Sequence, residues 1–373
     1  MKKTVLMILL SVVSIFNSQS QDKQKKLLMV VSSYGKDNGA TRPGYEFDEF
    51  SQAYLIFKNH DLKIDVASPK GGKVVPDNYS KDKLYNKTVE QDQKAMQSLH
   101  NTISTASIDP SVYDAIYIVG GKGAMFDLPF DPSLQDIILH LYRKEGTILS
   151  SVCHGPAAFV NVKDKENYII NGVEMTGFCK NEEDLFGKKW VKEFPFALED
   201  KLVSRGVQFQ QAKFMLSKVV VSGKFVTGQN PFSTTKSAEE VVKALGIKLK
   251  DRTFYKDEKS IYLIQEFLNG SKNPEWIQTE FKENTESYDF PLLALYGYYT
   301  ILNAKENTSE IKQGLALTEL TLPYFFDQNL HYFMAENYVS LGNNKRAKEL
   351  LLELKSKKLL NELVNKLLEK INT

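Results

Sequence analysis

Cysteine is scarce in this chain of 373 residues, which contains only Cys153 and Cys179. Excess charge of one sign is also missing, because 48 basic residues nearly balance 46 acidic ones. A chain without a strong positive charge is a poor candidate for binding nucleic acid. No pair of histidines or carboxylates has the spacing of metal ligands, and no apolar run beyond the first residues reaches the roughly 20 residues of a membrane-spanning helix. The sequence therefore predicts neither a metal site nor a membrane span.

The first 20 residues differ in composition from the rest of the chain. Lys2 and Lys3 precede an apolar run over residues 5–16, and small residues around Ser20 follow it. A basic start, an apolar centre and small residues in that order are typical of a secretory signal peptide, with a membrane anchor as the alternative. We therefore interpret residues 1–20 as a signal peptide and expect a mature protein that is periplasmic or secreted.

Patterns of strand and helix alternate along the first two thirds of the chain. Residues 27–31 are apolar without alternation, as a strand covered on both faces requires, and helical spacing over 50–59 precedes an alternating strand over 62–68. The same succession recurs over 115–152, and such βαβ units need parallel strands. The prediction is a flavodoxin-like α/β fold, with a parallel sheet sandwiched by helices, over residues 21–250.

The carboxyl-terminal third has the pattern of amphipathic helices. We interpret residues 251–285 as a linker and residues 286–373 as a small all-α domain. Small and aromatic residues of this domain follow the spacing of a tetratricopeptide repeat, namely Ala335, Tyr338, Gly342 and Ala347. A stable solenoid normally needs three or more repeats, so a helical cap that packs on the core is the alternative.

Cys153 stands where a buried strand meets the start of a helix, in the segment Ser-Val-Cys-His-Gly-Pro over residues 151–156. This is the arrangement of a nucleophile elbow with sulfur in place of oxygen. A helix start favours the thiolate, so we expect a reactive thiol with a lowered pKa. In an oxidising compartment a disulfide between Cys153 and Cys179 is the alternative, although it would leave a strained turn without a chemical use.

The motifs around the cysteine resemble those of the ThiJ/PfpI superfamily. Residues 153–158 read Cys-His-Gly-Pro-Ala-Ala, and residues 120–127 read Gly-Gly-Lys-Gly-Ala-Met-Phe-Asp. The closer similarity is to the branch of glutathione-independent glyoxalase III and heat-shock chaperones. Further matching motifs lie at 67–72, 176–178 and 227–231. The resemblance spans roughly residues 27–245 and implies a class I glutamine amidotransferase-like fold.

The resemblance also implies two acidic partners for the cysteine and its neighbour His154. In the family an acid at the start of the first helix hydrogen-bonds the cysteine sulfur. Glu49 matches that acid best, and the register alternatives are Glu46 and Asp48. A second acid, which follows the Thr-Gly-Phe motif, orients the imidazole of His154. Glu183 corresponds to this second acid, and its neighbour is Glu182.

Backbone groups complete the catalytic site that the resemblance implies. The N–H groups of Gly121 and His154 correspond to the family's oxyanion hole. Lys122 is a candidate substrate-binding residue, because glyoxalase III members often have histidine at this position. That departure affects the expected substrate more than the expected fold.

For activity, the resemblance implies conversion of methylglyoxal to D-lactate by a lyase of the D-lactate dehydratase type, with Cys153 as nucleophile. It implies no metal, nucleotide or glutathione as cofactor. An exported holdase chaperone or interaction module is the first alternative, and a cysteine peptidase or amidohydrolase is the second. The expected partners are a small aldehyde substrate, a second copy in a homodimer, and a protein bound by the carboxyl-terminal helices.

Overall fold

A seven-stranded sheet forms the centre of the first 250 residues. The structure is a computed structural model that describes residues 24–372, so the predicted signal peptide over 1–20 lies outside the described residues. The strands in chain order are β1 Lys26–Val30, β2 Lys63–Ser68, β3 Ile103–Ser104, β4 Ala115–Ile118, β5 Ile148–Val152, β6 Lys163–Asp164, β7 Asn167–Tyr168, β8 Glu174–Met175, β9 Gln208–Phe209, β10 Val219–Ser222 and β11 Phe225–Gly228.

The central sheet has the strand order β10-β11-β5-β4-β1-β2-β3. All its neighbouring pairs are parallel except β10 and β11, which form an antiparallel hairpin. The apolar run over 27–31 is fully buried, which explains why β1 lacks polar alternation. The predicted α/β fold with a mostly parallel sheet is therefore confirmed.

Helices flank this sheet. The helices of the first 250 residues are α1 Phe47–Asn59, α2 Leu84–Gln91, α3 Gln93–His100, α4 Ala124–Asp127, α5 Pro132–Arg143, α6 Lys180–Phe186, α7 Leu198–Ser204 and α8 Thr234–Ala244. The buried Tyr117 in β4 packs its ring against Phe57 of α1, and its hydroxyl hydrogen-bonds that of Ser237 in α8. Helix α1 follows β1 along the chain. Because β1, β4 and β5 are parallel neighbours, their carboxyl ends lie side by side at one edge of the sheet.

The rest of the described chain is helical. Its helices are α9 Lys256–Leu268, α10 Pro274–Glu283, α11 Phe290–Asn303, α12 Thr308–Thr321, α13 Gln328–Ser340, α14 Asn344–Ser356 and α15 Asn361–Asn372. The structure differs from the predicted linker over 251–285, because α9 and α10 lie within that segment. Both helices bury apolar side chains, including Ile264 and Phe281, and a linker would leave such groups exposed.

Antiparallel helix pairs build the carboxyl-terminal region. Helices α11 and α12 approach closely where Gly297 faces Gly314, and a Cβ on Gly297 would lie 2.9 Å from the Gly314 carbonyl oxygen. Helices α13 and α14 pair next, with Ala335 and Ala347 buried between them. Among residues 24–372, no helix is long and apolar enough to cross a membrane.

The helical region packs directly on the α/β region. Met215 and Leu216, which precede β10, share one buried apolar cluster with residues of α9 to α12. Charged groups join the two regions as well, because Lys83 Nζ lies 2.9 Å from Asp48 Oδ2 and 3.1 Å from Asp257 Oδ2. The two regions therefore share both an apolar and a charged interface.

Candidate active site

Cys153 lies at a sharp turn between β5 and a short 3-10 helix, Gly155–Phe159. Its φ of 59° is in the left-handed region, which side chains other than glycine rarely adopt. Only 4% of the residue is exposed. The sequence predicted this elbow, and a residue held in a strained conformation at a cavity is typical of a functional site. Neither Cys153 nor Cys179 forms a disulfide.

His154 links the cysteine to an acid. Its Nδ1 lies 3.3 Å from the sulfur of Cys153, and its Nε2 lies 2.8 Å from Oε2 of Glu183. Because a carboxylate can only accept a hydrogen bond, Nε2 carries a hydrogen, and Nδ1 is the ring nitrogen that faces the sulfur. The structure thus brings together Cys153, His154 and Glu183 as the sequence predicted.

Glu49 is the carboxyl that faces the nucleophile. Its Oε2 accepts the Gly120 N–H at 2.7 Å, and its side chain interacts directly with the Cys153 thiol. Burial, reinforced by the charge of Glu46, raises the pKa of Glu49 well above its usual range. Asp48 instead binds Lys83 on the far side of α1. Of the three register alternatives, Glu49 is therefore the one that meets the sulfur.

The pKa of Cys153 differs from the expectation of a lowered value. Burial raises the pKa of the thiol well above its usual range, and the nearby Glu49 carboxyl adds to this effect. The Gly121 N–H hydrogen-bonds the sulfur and lowers the thiol pKa, but burial outweighs this effect. Two negative charges are unfavourable in this buried space, so Cys153 and Glu49 titrate as a pair.

Gly121 fits its position because it has no side chain. Its φ is +92°, and a Cβ at this residue would lie 2.4 Å from the Glu46 backbone nitrogen. The close approach lets the Gly121 N–H point at the sulfur of Cys153. An N–H in this place can bind the oxygen of a carbonyl group that the sulfur attacks.

Glu182 has a different environment from its neighbour Glu183. Its Oε1 accepts hydrogen bonds from Met215 N, Gln229 Nε2 and Asn230 Nδ2, at 3.0, 3.0 and 2.7 Å. The Cys179 thiol donates to its Oε2 at 3.4 Å. Glu182 therefore joins separate segments of the chain, whereas Glu183 contacts His154.

A cavity of about 240 Å³ opens over Cys153. Its wall combines charged, polar and apolar side chains from distant parts of the sequence, namely Glu46, Gly121, Lys122, Cys153, His154, Phe178, Glu182, Phe186, Met215, Asn230, Pro231 and Phe232. Sequence reasoning placed Lys122 here but did not identify the apolar wall. No local signal marks Phe186, Met215 or Phe232, because only the tertiary fold brings them to the cavity.

The helical region supports this apolar wall from behind. The ring of Tyr299 in α11 packs edge-on against Phe186, with centroids 5.6 Å apart, and against Phe214 at 5.5 Å. Phe186 and Phe214 stack on each other at 5.5 Å. Aromatic rings packed in this way hold one another in position. The position of the cavity wall therefore depends on α11.

The described residues offer no obvious place for a metal ion. Within residues 24–372, no group of three or more histidine, cysteine, aspartate or glutamate side chains is arranged to hold one. The chemistry available from the described side chains is that of a thiol, an imidazole, carboxyl groups and an ammonium group.

Comparisons with known proteins agree with this geometry. The DJ-1/PfpI family matches residues 40–244. Glyoxalase 3 of Candida albicans is 29% identical over 234 residues, which cover 59% of this chain and 98% of that protein. A crystal structure of glyoxalase III from Candida albicans has a TM-score of 0.54 at 27% identity, and covers 59% of this chain and 97% of that one.

A second solved structure is similar over the same region. The X-ray structure of a rapid encystment protein of Francisella tularensis is 31% identical, with a TM-score of 0.56, and covers 60% of this chain and 99% of that one. The family match ends before α9 and contains Cys153, His154, Glu49 and Glu183. Relatives that are 27–29% identical are named as glyoxalases, which supports an enzyme. The chain belongs to the DJ-1/PfpI family.

Proposed function

We propose that this chain is an exported, glutathione-independent glyoxalase that converts methylglyoxal and water to D-lactate at Cys153, as a lyase of the D-lactate dehydratase type. The observation that carries the proposal is the continuous contact from the Cys153 sulfur through His154 to Glu183. The relatives named glutathione-independent glyoxalases add support. A cavity of about 240 Å³ suits a small substrate.

The first step is attack of the Cys153 sulfur on the aldehyde carbon of methylglyoxal. His154 Nδ1, 3.3 Å from the sulfur, accepts the thiol proton as the carbon–sulfur bond forms. The aldehyde oxygen gains the electron pair of the broken C=O π bond, and the N–H groups of Gly121 and His154 stabilise its charge. His154 then passes the thiol proton to this oxygen, which gives a hemithioacetal and returns the imidazole to its neutral form.

The second step moves hydrogen between the two carbons of the substrate. His154 removes the proton from the former aldehyde carbon, and the electron pair passes to the neighbouring carbonyl group to form an enediolate. The same imidazole then returns the proton to the neighbouring carbon, which leaves a lactyl thioester on Cys153. Glu183 holds the ring in one orientation throughout and stabilises its protonated form.

Hydrolysis completes the cycle. Water adds to the thioester carbonyl with His154 as general base, the carbon–sulfur bond breaks, and lactate leaves with the water oxygen in its carboxylate. The thiol regains its proton, so one methylglyoxal and one water give one lactic acid. Delivery of the proton from the side of His154 alone would give a single stereoisomer.

The test is D-lactate formation from methylglyoxal by purified protein without glutathione. We expect turnover by the wild-type chain, none by Cys153→Ala, and nearly unchanged turnover by Cys179→Ser, the matched control at the other buried thiol. An enzymatic assay specific for D-lactate and thermal unfolding of all three proteins should be measured together. Full turnover by folded Cys153→Ala, or no D-lactate from the wild type, would reject the proposal.

A further inference from the structure

Two charged side chains on the cavity wall make no hydrogen bond with another side chain in the part of the chain that the structure describes. Glu46 and Lys122 both line the cavity and are partly exposed to it. Among residues 24–372, neither side chain makes a hydrogen bond or an ion pair with another residue. Charged groups that face a small cavity usually find protein partners, because desolvation of an unpaired charge is costly. Glu46 and Lys122 attract each other electrostatically, but without hydrogen-bond partners among the described residues both side chains remain available to a molecule in the cavity.

The backbone holds Glu46 close to the reacting groups. Its N–H donates to the carbonyl oxygen of Gly120 at 3.1 Å, and the residue caps the start of α1. Its carboxyl is near enough to raise the pKa of both Glu49 and Cys153. Glu49 is fully buried and hydrogen-bonds the Cys153 thiol, whereas Glu46 is partly exposed and borders the cavity. The two glutamates therefore have different environments next to the nucleophile.

The proposed reaction has one proton transfer that the residues described so far do not perform. His154 moves hydrogen from one carbon to the other. During the same isomerisation, the hydroxyl on the first carbon must lose its proton to become the thioester carbonyl. The ketone oxygen on the second carbon must gain a proton to become the hydroxyl of lactate. The oxygens therefore need an acid–base group of their own on the cavity side.

We propose that Glu46 is a further catalytic residue, which carries a proton between the two substrate oxygens while Lys122 binds the ketone oxygen. This inference rests on the proposed glyoxalase function. As an acid, Glu46 protonates the ketone oxygen when the enediol forms. As a base, it then accepts the hydroxyl proton of the first carbon, so its own protonation is restored. The Lys122 ammonium offsets the negative charge that develops on the ketone oxygen before Glu46 protonates it.

The electrostatic surroundings of Glu46 suit this role. Burial, with the neighbouring charges of Asp48 and Asp77, raises the pKa of Glu46 to about 7, while Lys122 and Lys83 oppose the shift. Glu49 is the remaining acid that faces it. A group that titrates near the working pH can both give and accept a proton, which is the requirement for a shuttle.

The experiment compares wild type, Glu46→Gln, Lys122→Met and the control Asp82→Asn, whose side chain is 96% exposed. D-lactate production should be measured between about pH 5.5 and 9, together with the mass of any adduct on Cys153 and the rate of its reaction with iodoacetamide. We expect Glu46→Gln to lower kcat by about 10²-fold, with KM changed less than about two-fold, because attack by the sulfur remains intact.

Three further outcomes distinguish a catalytic Glu46 from a structural one. Glu46→Gln should accumulate the adduct on Cys153 and lose the change in kcat near pH 7 that the wild type shows. Lys122→Met should lower kcat but keep that change. Unchanged kcat and pH profile in folded Glu46→Gln, beside an active wild type, would overturn this inference alone. A wild type that makes no D-lactate would overturn the proposed function and this inference with it.

A second variant, Glu46→Asp, tests the proposal if Glu46→Gln does not fold. Should Glu46→Gln fail to unfold cooperatively, Glu46→Asp keeps the charge but withdraws the carboxyl from the cavity by one methylene group. We expect an intermediate loss of kcat with the change near neutral pH retained. Full wild-type kcat at every pH in Glu46→Asp would count against proton transfer by Glu46.

Discussion

Oε2 of Glu183 accepts a hydrogen bond from Nε2 of His154 at 2.8 Å, and both side chains are almost fully buried. The bond fixes the side of the imidazole that faces the Cys153 sulfur. An acid in α6 thus controls the protonation of the base next to the nucleophile, although Glu183 does not touch the sulfur. Glu183 is therefore a positioning residue, and His154 is the residue next to the reacting sulfur.

Glu183→Ala should lower kcat by about 10²-fold or more, because the imidazole loses the group that fixes its tautomer and stabilises its charged form. Asp184→Asn, at the exposed neighbouring position, is the matched control and should keep full activity. The split between kcat and KM for D-lactate formation checks the mechanism, since loss of a positioning residue should lower kcat while KM changes little. Full kcat in folded Glu183→Ala would mean that Glu183 only supports the fold.

Alkylation of Cys153 should titrate in two steps in the wild type, because the thiol and Glu49 share a buried space and titrate as a pair. Glu49→Gln removes one titrating group, so a single step should remain. Its midpoint should lie below the upper step of the wild type, since the negative carboxylate that raises the thiol pKa is absent. Iodoacetamide rates between about pH 5 and 11 test this, and an unchanged two-step profile would contradict the pairing.

A chain that ends at Lys250 should be less stable and less active than the full protein. Truncation would expose Met215 and Leu216, and burial of such side chains contributes about 1.5–3 kcal/mol each. It would also remove Tyr299 from behind the cavity wall. Thermal unfolding and D-lactate assays on both lengths measure the effect. Equal stability and turnover would show that the helical region is an independent domain.

Glu46→Gln should stabilise the fold at alkaline pH and not at acidic pH. The folded protein raises the pKa of Glu46 from 4.5 to about 7, so ionisation above that range weakens the folded state. The penalty is absent below about pH 4.5 and complete above about pH 7. The variant should therefore gain on the order of 1–3 kcal/mol over wild type at about pH 8, and nothing at about pH 4. Urea unfolding at both pH values checks the sign.

The export proposal makes a prediction about the amino terminus. In a cell that secretes proteins, the mature chain should begin near Gln21 and leave the cytoplasm, because residues 1–20 have the order of a signal peptide. Intact mass of the protein from a membrane-free periplasmic or culture fraction measures this. Recovery of the chain with residues 1–20 from cytosol would contradict it.

The sequence predicts those parts of the site that follow from local patterns. Cys153 could be placed at an elbow because a buried apolar strand and a Gly-Pro helix start flank it. The resemblance favoured Glu49 over Glu46 and Asp48, but its contact with the Cys153 sulfur is visible only in three dimensions. The raised pKa of Cys153 could not be predicted either, because burial depends on residues far away in the chain.

The linker that we predicted over residues 251–285 is helical in the structure. These residues lie between the last strand signals and the clear pattern of amphipathic helices, and we interpreted them as a linker. Their apolar residues nevertheless repeat at helical spacing, and Ile261 and Ile264 are buried against the remaining helices. A polar outer face masked this stripe in the sequence. The cavity wall was missed for a related reason, because Phe186 and Phe232 belong to it only once the helices are packed.

The contact between Phe186 and Tyr299 links the cavity around the nucleophile to helix α11. Because α11 packs against the cavity wall, a local opening that separated Tyr299 from Phe186 would also loosen that wall. Electrophiles too large for the closed cavity would then react at a rate set by the free energy of this local opening, and not by the nucleophilicity of the sulfur.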